Sequence, residues 1–249
     1  MEEFRIDPTI SYDVVELPSR GIYYPSGKKS LRVAYLTATD ENILSSQNLI
    51  ATNMVMEELL KRKILDKDFD VTEMVEDDKQ AVLLFLRNTA FGSEYNVSLT
   101  DPKTAKEFDA TIDISSISVK DFTLTPNQNN EFEYFLPQTK KKITFKFLTP
   151  KQEKELDAIR NSATGVQVAP VNTKRLEMMI KSIDGNTDQM AIYQFIQNLP
   201  IKDSQDFKRF VADNKPNLDL IFEVQAPSGD KVRVRLDFGV EFFRPFFGL

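Results

Sequence analysis

The side chains that most often carry catalysis are missing: the 249 residues include no Cys and no His. No thiol nucleophile, disulfide or thiolate metal site can form. The commonest general base and transition-metal ligand is also gone. Asp, Glu, Lys, Ser and Tyr remain, so the glycine–lysine and acidic clusters are the ones to weigh. Gly21 and Gly27 followed by Lys28-Lys29 suggest a phosphate loop, which needs four residues between its glycines and then Lys with Ser or Thr. Here five residues intervene, Lys28 is followed by Lys29, and the segment precedes a strand, so it reads as a solvated turn. Asp66, Asp68 and Asp70 alternate like calcium ligands but lack the glycine and terminal Glu of such a loop. Glu57-Glu58 and Asp77-Asp78 are adjacent on helices, do not share a face, and read as solvated helix surface. Lys140-Lys141-Lys142 reads as a solubilising hairpin turn. No nucleophile–base pair or metal cluster stands out. No catalytic, cofactor-binding or metal-binding residue is therefore assigned, and the chain is expected not to be an enzyme. A different class stays open, a magnesium-dependent hydrolase or nuclease using Asp and Glu. It would need acids from distant segments to converge in one cleft.

Aromatic residues offer binding chemistry instead. Phe occurs 19 times and Trp never, and Phe242, Phe243, Phe246 and Phe247 crowd one end of the chain. Each ring would bury about 150–250 Å² if covered. Two readings follow: the rings fold back onto the core, or they form a docking patch for a partner. A second aromatic cluster, Ile22, Tyr23 and Tyr24, lies in the turn-rich stretch Arg20–Ser26. These seven residues are the candidate partner-binding set, and replacing Tyr23 and Tyr24 by Ala is expected to weaken binding while leaving the fold intact.

The balance of 41% hydrophobic and 28% charged residues suits a soluble globular protein, and the net charge of −6 speaks against a nucleic-acid footprint. The start Met-Glu-Glu-Phe-Arg-Ile-Asp lacks the basic and apolar regions of a signal peptide. No apolar run is long enough to span a membrane.

The elements that must position these residues read as α+β. Residues 1–13 are polar and are expected to be extended. Leu31, Val33 and Tyr35 alternate as a strand, and Thr37 with Asp40 forms a capping box for a helix over 38–64, broken near Ser45–Asn48. A helix over 76–90 stops at Gly92, and alternation marks strands around Val97 and Ile112. Strands follow at 132–136 and 142–148, then Thr149-Pro150 with Gln152 as a second cap. Helices are expected at 172–183, 187–198 and 203–213, the last capped by Asp203-Ser204, and a hairpin carries Val224 and Val232.

The order repeats. Leu17-Pro18 returns as Leu136-Pro137 and Leu36-Thr37 as Leu148-Thr149, while Glu153 and Leu156 keep the spacing of Glu41 and Leu44. Two related copies of a strand–helices–β-hairpin unit are expected, at 1–118 and 132–249, joined by a connector at 119–131. The second copy lacks the seven-residue Arg20–Ser26 insertion.

These residues also carry a family resemblance. Glu16-Leu17-Pro18-Ser19-Arg20-Gly21-Ile22-Tyr23-Tyr24-Pro25, then Arg32–Leu36 and Thr39-Asp40-Glu41, resemble the opening of baseplate hub proteins of T-even-type contractile-tailed phages. Asp78-Lys79, Leu83–Arg87, Phe91–Tyr95, Val224–Leu236 and Phe242-Phe243-Arg244-Pro245 resemble later blocks in the same order. Some relatives carry Cys-x-x-Cys knuckles where this chain has Thr100–Lys103 and Ala226–Gly229. The resemblance therefore implies metal-free versions of zinc-ribbon hairpins. It also implies phage baseplate hub proteins as partners, and a role as the hub assembly factor, a chaperone or scaffold in the infected host cytoplasm. The alternative is a structural hub subunit in the virion tail baseplate.

Overall fold

Val15, Leu31 and Val33 turn their side chains to one side of a short hairpin, and that hairpin starts the fold. Strand β1 (Tyr12–Glu16) pairs antiparallel with β2 (Ser30–Ala34), with Val15 opposite Leu31. The computed structural model describes residues 9–120, 122–162 and 168–243. They fall into two compact units. Unit 1 draws on Met1–Gly21, Ser26–Lys120 and Asn217–Leu249; unit 2 draws on Ile22–Pro25 and Asp121–Pro216. This division differs from the boundaries expected at 118 and 132. The segment from Asn217 onward belongs with unit 1, and Ile22–Pro25 belongs with unit 2. Backbone pairing explains the first difference. Lys120 N–H donates to Asn217 O at 2.8 Å, Asp219 N–H donates to Ser118 O at 3.0 Å, and Val119 bridges Leu218. The start of the expected connector is thus paired to the segment that precedes the last hairpin.

In unit 1 the long helix expected over 38–64 is three short ones, α1 (Glu41–Leu44), α2 (Gln47–Ala51) and α3 (Val55–Lys63). The break expected near Ser45–Asn48 falls at Ser45-Ser46, and Gln47 and Asn48 already belong to α2. The second break follows from Asn53, whose φ of 55° lies in the left-handed region and ends a helix. Helix α4 (Glu76–Phe91) stops at Gly92, φ 80°, as expected. Hairpins β3 (Glu94–Thr100) with β4 (Glu107–Asp113), and later β8 (Ile221–Gln225) with β9 (Lys231–Arg235), complete the unit. A 3-10 turn, Val240–Phe243, follows them.

Unit 2 is a three-stranded antiparallel sheet with helices. Strands β5 (Phe132–Phe135), β6 (Lys142–Phe145) and β7 (Ile180–Ile183) lie in that order, accompanied by α5 (Pro150–Ser162), α6 (Val171–Met179), α7 (Gln189–Gln197) and α8 (Ile201–Asn214). Phe132, Phe145, Phe147 and Phe207 stack around one another with ring centroids 5.1–5.7 Å apart and form the centre of its core. The helix expected over 172–183 ends at Met179. Ile180–Ile183 continues as a strand because Ile180 and Ser182 are buried and the Ser182 and Thr144 hydroxyls bond across the sheet at 2.7 Å.

Several contacts are made twice. Both capping boxes form: Thr37 N–H donates to Asp40 Oδ2 at 2.7 Å, and Thr149 N–H donates to Gln152 Oε1 at 2.9 Å. Helices α3 and α6 each have nine residues and end at an isoleucine, Ile64 or Ile180, whose N–H donates to Leu60 or Leu176. Each isoleucine then pairs with a strand residue, Ile64 with Val33 and Ile180 with Phe145. Each Leu-Pro turn is tied to a later helix. Ser19 N–H and hydroxyl donate to Asp78 at 2.9 and 2.6 Å, while the N–H groups of Gln138 and Thr139 donate to Asp203 at 2.7 and 2.9 Å.

Candidate functional site

The acids that could have done chemistry are committed to structure. Asp78, expected on a solvated surface, is buried because it binds the Ser19 backbone and hydroxyl. Asp203, expected as an N-cap, lies inside α8 and binds the turn at Gln138-Thr139. Asp66 accepts from Arg32 N–H at 2.7 Å and pairs with Lys28 at 2.8 Å, and Asp68 also pairs with Lys28. Burial pushes the Asp66 carboxyl up, but Lys28 and Arg32 outweigh it and hold it below the ordinary carboxylate range. The apparent phosphate lysine is thus an ion-pair partner. Asp70 accepts from Thr72 N–H at 2.9 Å and caps the start of the 3-10 turn Val71–Glu73. Asp40 pairs with Lys63 and Arg62. Asp101 accepts from Lys103 N–H and, across to the second hairpin tip, from Ser228 N–H at 3.0 Å. Among the described residues no group of three or more acids is placed to hold a metal ion. In the lysine triplet, Lys141 pairs with Asp184 and Lys142 with Glu133.

The candidate partner-binding residues are mostly inward. Tyr24 is buried, and Ile22 and Tyr23 pack against the unit 2 core, with the Tyr23 ring 5.8 Å from Phe147. Replacing Tyr24 therefore disturbs packing as well as any surface. Phe242 and Phe243 are fully buried in unit 1, edge to face with centroids 5.2 Å apart. Of the two readings of this cluster, these rings follow the fold-back one. Their place is fixed by Arg87, a buried guanidinium that donates to the carbonyls of Phe242 at 3.0 Å, Gly92 at 2.8 Å and Glu94 at 3.2 Å. Phe246 and Phe247 lie outside the described residues.

The surface with binding character lies elsewhere, on α7. Asp188 caps this helix by accepting from Ala191 N–H at 2.8 Å. Ile192 and Ile196 are buried in the unit 2 core, while Met190 and Tyr193, one helical turn apart, are 62% and 47% exposed. They form one wall of an open groove of about 520 Å³, whose other wall is Lys174, Glu177, Met178 and Lys181 from α6 and β7. Lys174 pairs with Glu177 at 3.4 Å. Lys181 is half-buried and donates to Met178 O at 2.7 Å. Burial lowers its pKa and Lys146 lowers it further, against a smaller opposing pull from Glu131. The groove offers adaptable apolar contact beside a cation, which suits binding. Sequence reasoning missed it, although the run Met190-Ala191-Ile192-Tyr193 is apolar on more sides than one core face needs.

The model of the family described as T4 bacteriophage base plate protein matches residues 19–244. The chain belongs to that family. The match takes in the Leu-Pro turn from Ser19, both aspartate ties and the Arg87–Phe242 contact, so the family's region covers nearly all of both units. A base plate role in a bacteriophage follows, and the α+β fold agrees with the sequence reading. No curated protein and no solved structure matches the chain. Among the described residues no helix is long and apolar enough to cross a membrane.

Proposed function

We propose that this base plate family member is a non-enzymatic assembly factor that binds baseplate hub components during tail morphogenesis in the cytoplasm of the infected host. The observation that supports it is the open groove beside Met190 and Tyr193: a helix already anchored by Ile192 and Ile196 keeps two further apolar side chains in water. Such a surface is suited to holding an incomplete hub and releasing it when the hub's own contacts form. Asp66, Asp68 and Asp78, the acids weighed for chemistry, are held in ion pairs and turn closure, which accords with a structural role for them.

The test is capture of the tagged chain from infected cells, comparing assembly intermediates with finished particles. The assembly factor is expected on intermediates and depleted from mature tails. Fixed stoichiometry in mature tails would overturn this reading in favour of a structural hub subunit.

A further inference from the structure

We infer that the α6–β7/α7 groove of unit 2 receives an apolar segment of a partner protein that carries an acidic side chain, with the carboxylate seated on Lys181. The inference deepens the proposed function and rests on its reading of the groove as a docking surface.

Shape and apolarity come from α7. Met190 and Tyr193 stand on the groove wall, exposed, while the same helix is already held by two buried isoleucines. Methionine adapts to irregular partners, and tyrosine offers a flat apolar body with a polar tip. The groove is open to solvent rather than an enclosed cavity, so a length of chain fits it better than a small molecule that must be buried on most sides.

Charge selects among chain segments. On the facing wall Lys174 and Glu177 satisfy each other. Lys181 is left over: its amine donates to one backbone carbonyl, and it makes no ion pair with a described residue. Lys146 adds charge of the same sign nearby, and Glu131 offsets it only in part. In a chain of net charge −6 this is a local reversal of sign. An arriving carboxylate would gain a charge-assisted hydrogen bond in a partly desolvated place, whereas an arriving lysine would meet like charge.

The test uses the full chain and three synthetic 14-residue peptides sharing one leucine stripe, with Glu, Gln or Lys beside it. Binding is read by fluorescence anisotropy. The Glu peptide is expected to bind at least about tenfold tighter than the Gln peptide, and the Lys peptide weakest. Lys181→Glu should reverse that order, Lys181→Arg should keep it, and Met190→Ala with Tyr193→Ala should weaken the Glu and Gln peptides together. Equal affinities for the three peptides, or an order that Lys181→Glu leaves unchanged, would overturn the inference. Amide exchange of each variant checks that the fold is kept. Complementation of tail assembly by the Met190→Ala/Tyr193→Ala chain is scored separately. If the peptides behave as expected and assembly is unaffected, the groove's chemistry stands while the assembly role loses its site. If the double variant blocks assembly but the peptides do not discriminate, the assembly role stands and the acidic occupant is wrong.

Discussion

Asp78 and Asp203 each close a Leu-Pro turn from the first turn of a helix, and neither is exposed. Asp78→Ala removes a carboxylate holding two donors and leaves the Ser19 N–H buried without an acceptor. It should cost about 2–4 kcal/mol, measured as a shift in urea midpoint at unchanged slope. Asp203 adds a pH dependence. Burial raises its pKa, but the N–H groups of Gln138 and Thr139 outweigh that effect and hold it below the ordinary 3.8. A pKa depressed in the folded state gives stability that is complete above about pH 4 and is lost as the pH falls through the folded value. Asp203→Asn should therefore be less stable than the parent at pH 7 and lose less on acidification below pH 4, as followed by thermal unfolding. Arg87 is the third such residue. Arg87→Met leaves the carbonyls of Phe242, Gly92 and Glu94 without their donor and should cost about 2–4 kcal/mol on the same urea curves.

At the scale of elements, the Arg20–Ser26 insertion turns on one glycine. Gly21 has φ 79°, and a Cβ there would lie 2.5 Å from Gly27 O, whereas Gly27, φ 63°, has open space around it. Gly21→Ala should cost well over the roughly 1 kcal/mol expected for Gly27→Ala, and differential scanning calorimetry of the pair separates contact from backbone preference. What could be read in advance at this scale followed local rules. Alternation revealed β2, β3, β4 and the last hairpin, Gly92 ended α4, and Thr37 and Thr149 marked their caps. What was hidden depends on distant partners. Asp78 looks like a surface acid because Ser19 is 59 residues away. Ile180–Ile183 looks like the end of a helix because its pairing with β6 is not visible in a helical window. The groove escaped notice for a related reason: periodicity shows that α7 has a core face, but only packing shows which of its apolar residues are surplus.

For the whole molecule, the grouping of Asn217–Leu249 with unit 1 has a direct test. A chain ending at Pro216 lacks β8, β9, Phe242 and Phe243, all of which belong to unit 1, while it keeps the whole of Asp121–Pro216. Hydrogen exchange should show lost protection in α4 and the β3–β4 hairpin, with protection of β6 and α8 retained. Equal loss in both would contradict the division. The Arg87–Phe242 hydrogen bond also sets a schedule for synthesis. Its two ends are 155 residues apart, and all of Asp121–Pro216 is translated between them. At about 5–20 residues per second, the ribosome needs roughly 8–30 s to cross that gap. During that time the inserted unit has its contiguous sequence available to fold, while the earlier one waits with its apolar interior incomplete. A nascent chain stalled before Phe242 leaves the tunnel should therefore expose unit 1, and not unit 2, to host chaperones and proteases.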